Sequence, residues 1–314
     1  MRKYKLLMFL VSIIILAAVI VYSNPLAVAD KLVTSDYRFV FLAFCISVFA
    51  ISLGVLKWNI LLNKVGYFEL YPVQVLGYAV SNFTPGKAAE PAKAIVLKMR
   101  SNVPVAFSLP SIIWERIMDV VVLLILSLVA LNNISLSSEF FLPIVASIAI
   151  FMVIVVVAFA ILYSESFGRK IFGLIKKIKL FSRLSENFAD TFYKNRIKST
   201  LVAKSFILTF VTWLVIGCVL YASLLAFGYD MNPLVLSGVV ALSVIVGIAS
   251  SLPGGVGTTE LVMIFLLKVL GVDGAVAAAA TITFRLATIW FVNILGGVSF
   301  VYLSRKFKIK NILS

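Results

Sequence analysis

Histidine is absent from this chain and cysteine occurs only twice, at Cys45 and Cys218. Both cysteines sit midway along apolar runs, so no Cys/His metal cluster is expected, and the thiols read as small buried hydrophobes. Charge is scarce as well. Only 13% of residues are charged against 62% hydrophobic, and the mean hydropathy is +1.11. That balance excludes an ordinary soluble globular domain. No nucleotide-binding loop, metal-ligand motif or nucleophile–base arrangement occurs, so neither a catalytic residue nor a cofactor is expected and the chain does not read as an enzyme. Acidic residues are few, with 13 Asp and Glu against 28 Lys and Arg, for a net charge of +15. Such a charge suggests nucleic acid only until its placement is considered. The basic residues cluster in short loops between apolar runs, where they orient a membrane protein and attract anionic lipid heads.

What is present is a series of apolar runs near the roughly 20 residues that cross a bilayer. An all-α, polytopic membrane bundle is expected, with full spans at about 6–22, 39–62, 104–131, 141–163, 201–227 and 275–303. The basic start before 6–22 resembles a signal peptide, but no small-x-small cleavage pattern follows, so an uncleaved first span is expected. Two further elements are each broken into pieces too short to cross alone. One joins 71–83 to 91–99 through Pro85-Gly86, and the other joins 233–250 to 258–270 through Pro253-Gly-Gly-Val-Gly257. Both read as re-entrant helical hairpins with the Pro-Gly turn at the tip. Asn102-x-Pro104 and Asn232-Pro233 read as helix starts, and Gly296-Gly297 as a site of close helix packing.

With a cytoplasmic N-terminus, 21 of the 28 Lys and Arg residues fall on the cytoplasmic side, as the positive-inside rule requires. Lys57 is among them, at the far end of span 39–62. The single membrane domain then divides into a first span and outer loop (1–38), a first repeat (39–131), a linking span and basic segment (132–200), a second repeat (201–304) and a basic tail (305–314). The repeats start on opposite sides, which is the inverted-topology plan of many transporters. Segment 164–200 carries Arg169, Lys170 and seven further basic residues, with Ile171, Leu174, Ile175 and Ile178 at helical spacing. It reads as an amphipathic helix on the membrane surface and as a docking place for a soluble lipid-modifying enzyme.

The two broken elements answer each other. Ser81 and Ser251 each precede a Pro-Gly turn and then, nine residues on, Glu90 or Glu260; Arg116 and Arg285 follow 26 and 25 residues later. The charges at membrane depth are Lys87, Glu90, Lys93, Glu115, Arg116, Asp119, Glu260 and Arg285, and intramembrane charge is costly unless it serves a purpose. Arg116 and Asp119 share one helix face and can pair, whereas Glu115 points about 100° away. In a binding reading, Arg116 and Arg285, with Lys87 and Lys93, contact an anionic group, helped by free N–H groups of the tips at Gly86, Gly254, Gly255 and Gly257. Glu90, Glu115, Asp119 and Glu260 then balance or gate the charge. In a purely structural reading, Glu90–Arg116 and Glu260–Arg285 are internal ion pairs that lock the hairpins, with four acids balancing four bases.

At Pro85-Gly86-x-x-x-Glu90, Glu115-Arg116-x-x-Asp119 and Pro253-Gly254-Gly255-x-Gly257-x-x-Glu260 the chain resembles the membrane domain of lysylphosphatidylglycerol synthases, a flippase-like family with stand-alone members. The resemblance runs from about residue 6 to 304, with Lys87 and Ala89 standing where arginine and glycine are common. It implies a lipid flippase rather than a synthase. The lipid would be anionic or phosphate-bearing, with an aminoacylated or glycosylated head group among the expectations, and membrane lipids are the expected partners. The alternatives are an ion-coupled carrier of a small soluble anion and a non-transporting membrane partner of a lipid-modifying enzyme.

Overall fold

The computed structural model describes residues 24–133, 138–176, 187–194 and 197–307. Among these residues every regular element is helical, as expected for long apolar runs whose backbone groups must find partners within their own segment. The expected first span 6–22, residues 134–137 and 177–186, and the tail beyond 307 lie outside the described residues. Four of the described helical stretches are long and apolar enough to cross a membrane, namely Tyr37–Leu62, Val145–Tyr163, Ser199–Leu225 and Gly274–Arg305. Large apolar side chains such as Phe41, Met152, Val156, Ile207 and Val298 stay exposed along them, a surface suited to lipid and unsuited to water.

The described residues open with α1 (Pro25–Val33), where the sequence suggested only a loop. Asn24 caps it by accepting the Ala27 N–H, Pro25 occupies the first turn, and Val28 packs on Ala278 and Ala279. Next, α2 (Tyr37–Leu62) is capped by Asp36 and closed by Asn63 at φ 45. The first broken element follows as α3 (Tyr67–Asn82), a 3-10 turn at Pro85–Lys87 and α4 (Ala92–Ser101). Asn102 ends α4 in the left-handed conformation, φ 53, instead of starting a helix, because its short side chain tolerates that geometry. Then come α5 (Val105–Asn133), α6 (Ser138–Tyr163), α7 (Glu165–Lys176) and α8 (Phe188–Lys194).

The second half opens with α9 (Ser199–Leu225) and continues into α10 (Pro233–Ala249), which Asn232 caps as expected. A 3-10 turn at Pro253–Gly255 leads to α11 (Thr258–Val269). The expected final span is divided: α12 (Gly274–Arg285) passes through a π turn at Leu286–Trp290 into α13 (Phe291–Phe307). The π turn leaves carbonyls off the helical ladder, and Ser47 of α2 donates to the Ala287 carbonyl at 2.8 Å.

Packing between the halves is reciprocal. The two long helices α2 and α9 lie against each other, α3 packs on α13, and α10 packs on α5. Small residues make the last two contacts close. A Cβ on Gly296 of α13 would lie 2.1 Å from Ala79 Cβ, and one on Gly238 of α10 would lie 2.8 Å from Ala130 Cβ. In lipid, helices associate through such contacts, since apolar side chains gain little by leaving apolar surroundings. Gly297, expected to share this role, faces open space. Cys45 is likewise exposed rather than buried.

The basic segment differs from its expected form. Its inward side is aromatic, with Phe172, Phe188, Phe192 and Tyr193 clustered against Ala106, Leu109 and Ile113 of α5. Leu174, on the expected apolar stripe, is exposed.

Candidate functional site

The two turns meet. The carbonyl of Asn82, at the end of α3, lies 3.1 Å from where a Cβ on Gly254 would sit, and the Pro85–Lys87 and Pro253–Gly255 turns are in contact. Gly254 at φ 63 and Gly86 at φ 57 allow each chain to reverse, and any side chain at Gly254 would push the tips apart. Beside this junction lies a cavity of about 160 Å³ lined from both halves, with Lys87, Arg116, Asp119 and Arg285 among its walls. Its apolar side is formed by residues such as Ile51, Ile216, Ile248 and Val292.

The pairings expected from helical periodicity are present. Arg116 Nη2 donates to Asp119 Oδ2 at 2.6 Å, one turn along α5, and Arg116 Nη1 lies 2.9 Å from Glu90 Oε2. Glu115, on another face of α5, accepts from Gln74 Nε2 at 3.3 Å and from Lys93 Nζ. Glu260 does two things at once. Its Oε2 accepts the Gly257 N–H at 2.7 Å, capping α11, while its Oε1 accepts Arg285 Nε at 2.6 Å. Arg285 Nη2 then reaches the Gly254 carbonyl at 2.9 Å, tying α12 to the tip.

Several of the expected binding groups are occupied. Lys93 has no exposed side-chain surface; it donates to Gln74 Oε1 at 2.9 Å and to Glu90 at 3.2 Å, and its ammonium stands 4.4 Å from the Trp58 ring centroid. It does not line the cavity. Of the four tip glycine N–H groups expected to be free, those of Gly255 and Gly257 are used, as are several beside them. Those of Lys87, Ala88, Ala89, Glu90, Gly255 and Gly257 all donate within the chain. Gly86 and Gly257 lie off the cavity wall, whereas Gly254 and Gly255 are on it.

Lys57 corrects the charge balance. It is buried, and its Nζ lies 2.8 Å from Asp119 Oδ1, so it is not an interfacial anchor at the end of its span. Its inclusion turns four bases into five against four acids. Trp213 Nε1 also donates to Asp119 Oδ1, at 3.2 Å. Sequence reasoning passed over Lys57, Gln74 and Trp213. A basic residue one turn and a half from a helix end looks like an interfacial anchor, and polar side chains on spans give no sign of their partners.

The lysylphosphatidylglycerol synthase TM region family matches residues 9–296. Curated relatives are similar over nearly their full length. A UPF0104 membrane protein of Methanothermobacter thermautotrophicus is 26% identical over 96% of this chain and 96% of its own. Another, from Pyrococcus horikoshii, is 25% identical over 95% of this chain and 96% of its own, and one from Methanocaldococcus jannaschii is 20% identical over 96% and 95%. A helical, membrane-suited chain whose paired Pro-Gly turns and ion pairs fall inside that match belongs to the lysylphosphatidylglycerol synthase TM region family.

Proposed function

We propose that the chain is a lipid translocase that moves an anionic, phosphate-bearing head group across the cell membrane. One observation carries the reading: the cavity beside the meeting turns holds donors without acceptors. Among the described residues the Lys87 side chain makes no hydrogen bond or ion pair, and Arg116 keeps 34% of its side chain exposed with Nε unmatched. An ammonium and a guanidinium facing one small polar void in apolar surroundings suit a phosphate oxygen cluster. The cavity has room for the polar part of a head group, and the tails would remain in the bilayer beside the apolar wall.

In this reading the chain has six full spans and two re-entrant hairpins, with 39–131 and 201–304 as inverted repeats and both termini cytoplasmic. The reciprocal packing of α3 on α13 and of α10 on α5 supports that plan, since a two-fold relation between the halves produces such exchanges. Alternating access would then be a rocking of the halves about the meeting turns.

The test is reconstitution of the full chain into vesicles with labelled lipids, scoring exposure of head groups on the opposite face. Wild type should accelerate exposure of an anionic phospholipid, and Arg116→Ala should slow it. Equal exposure in protein-free vesicles, wild type and Arg116→Ala would remove the assignment. Uptake of a soluble anion without lipid movement would favour the carrier alternative.

A further inference from the structure

We propose that the site selects a singly charged phosphodiester head group with uncharged substituents and rejects head groups that bear an ammonium. The proposal rests on the translocase reading and narrows its substrate class. It excludes aminoacylated head groups, which the family resemblance alone would admit.

The first argument is the distribution of vacancies. Every carboxylate in the cluster is already ion-paired or hydrogen-bonded, and the one oxygen that accepts no hydrogen bond, Glu90 Oε2, lies buried against the Arg116 guanidinium. Glu90 has Lys93 at 3.2 Å and Arg116 at 2.9 Å, and Glu115 has Lys93 and Gln74. Asp119 has Lys57 at 2.8 Å, Trp213 at 3.2 Å and Arg116 at 2.6 Å, while Glu260 has Arg285 at 2.6 Å and the Gly257 N–H at 2.7 Å. An incoming ammonium would find no free carboxylate, and its neighbours across the void would be Lys87 and Arg116. Like charges placed together in a poorly solvated site repel strongly.

The second argument is charge number. Lys57, Lys87, Lys93, Arg116 and Arg285 stand against Glu90, Glu115, Asp119 and Glu260, leaving one positive charge. A phosphodiester neutralises it. A phosphomonoester, which approaches two negative charges above about pH 6, would leave an uncompensated anion in apolar surroundings, where net charge is expensive. Uncharged substituents meet a suitable wall, because Ser81, Asn82, Thr212 and Thr288 line the same cavity. A glycerol or sugar hydroxyl can be accommodated there.

The experiment measures ligand-dependent thermal stabilisation of the full chain in neutral detergent at pH 7. The probes are short-chain phosphatidylglycerol, phosphatidic acid, phosphatidylethanolamine and lysylphosphatidylglycerol, with glycerophosphoglycerol as the soluble head group. Phosphatidylglycerol should bind at least about tenfold more tightly than either ammonium-bearing lipid, the size expected from one uncompensated like-charge contact. It should also bind more tightly than phosphatidic acid. Lys87→Met should abolish the preference and Lys87→Arg should restore it. Lys87 sits at φ 58, so Lys87→Gly, which suits that backbone, carries the same arm if the Met variant folds poorly. Equal binding of phosphatidylethanolamine and phosphatidylglycerol, or tighter binding of the lysyl lipid, would overturn the proposal. Glycerophosphoglycerol binding as well as the lipid would keep the charge rule and assign a soluble source. In vesicles, equal movement of all head groups would sink this proposal and leave the translocase reading. Selective binding without movement would do the reverse.

Discussion

Lys57 Nζ lies 2.8 Å from Asp119 Oδ1, joining α2 to α5 across 62 positions of sequence. This contact makes Asp119 a junction, since the same carboxylate receives Arg116 and Trp213. Both cations line the cavity, but Lys57 is buried against Asp119 whereas Arg116 keeps 34% of its side chain exposed.

Lys57→Met should therefore leave a buried carboxylate short of one partner. Losing one member of a buried pair costs about 3–5 kcal/mol, and the remaining Arg116 contact moderates the loss. Thermal unfolding in detergent should show a clear decrease in midpoint. An unchanged midpoint would mean that the lysine contributes nothing to the packing of α2 on α5.

Arg285 holds a different place from Arg116. With 7% of its side chain exposed, it spans from Glu260 to the Gly254 carbonyl, so it positions the second tip. Arg285→Lys keeps the charge but gathers its donors on one nitrogen, losing the fork whose separate Nε and Nη2 meet Glu260 and the Gly254 carbonyl. It should lower stability by roughly 1–3 kcal/mol, the cost of leaving a buried acceptor unsatisfied. A variant as stable as wild type, yet weaker in phosphatidylglycerol binding, would instead make Arg285 a direct ligand contact.

The contact between α3 and α13 depends on Gly296. A Cβ there would fall 2.1 Å from Ala79 Cβ, a separation that no side-chain rotation relieves. Gly296→Leu should force the helices apart and destabilise the fold by about 1–3 kcal/mol or more. Gly297→Leu, one residue along, faces open space and should be tolerated. Comparable losses in both variants would argue against this close approach.

Outside the spans, Arg169 bridges α7 and α8 by contacting Glu165 at 2.6 Å and Asp190 at 2.5 Å. Hydrogen bonds from Arg169, with its charge, hold the Asp190 carboxyl below its ordinary value. A lowered folded-state value means that this link is complete at neutral pH, above the unfolded value, and is lost as pH falls through the folded one. Amide protection in 165–176 and 187–194, corrected for the intrinsic exchange rate, should fall below about pH 4, near the usual aspartate value, while α2 and α9 stay protected. The Asp190→Asn variant should lose this pH dependence.

Much of the plan was legible in the chain itself. Apolar runs and the two Pro-Gly interruptions determined where helices form and break, because backbone groups in lipid have no other partners and proline-glycine turns cannot continue a helix. Helical periodicity alone placed Arg116 with Asp119 and turned Glu115 toward another partner, and the structure has both. The chemical roles of these side chains were not legible to the same degree. Lys93 and Lys87 look alike in sequence, as basic residues flanking Glu90, yet one is enclosed by Glu90, Glu115, Gln74 and Trp58 and the other faces a void.

Sequence by itself therefore determined the class of protein, the helix breaks and the short-range ion pairs, since all three follow from local chemistry and helical spacing. Tertiary structure alone decided which cations are satisfied. Lys57 reaches Asp119 only when α2 lies on α5, and Gln74 meets Glu115 and Lys93 only when α3, α4 and α5 converge. Charge balance in a membrane site is a sum over partners brought from distant segments, and that sum exists only once the helices have packed.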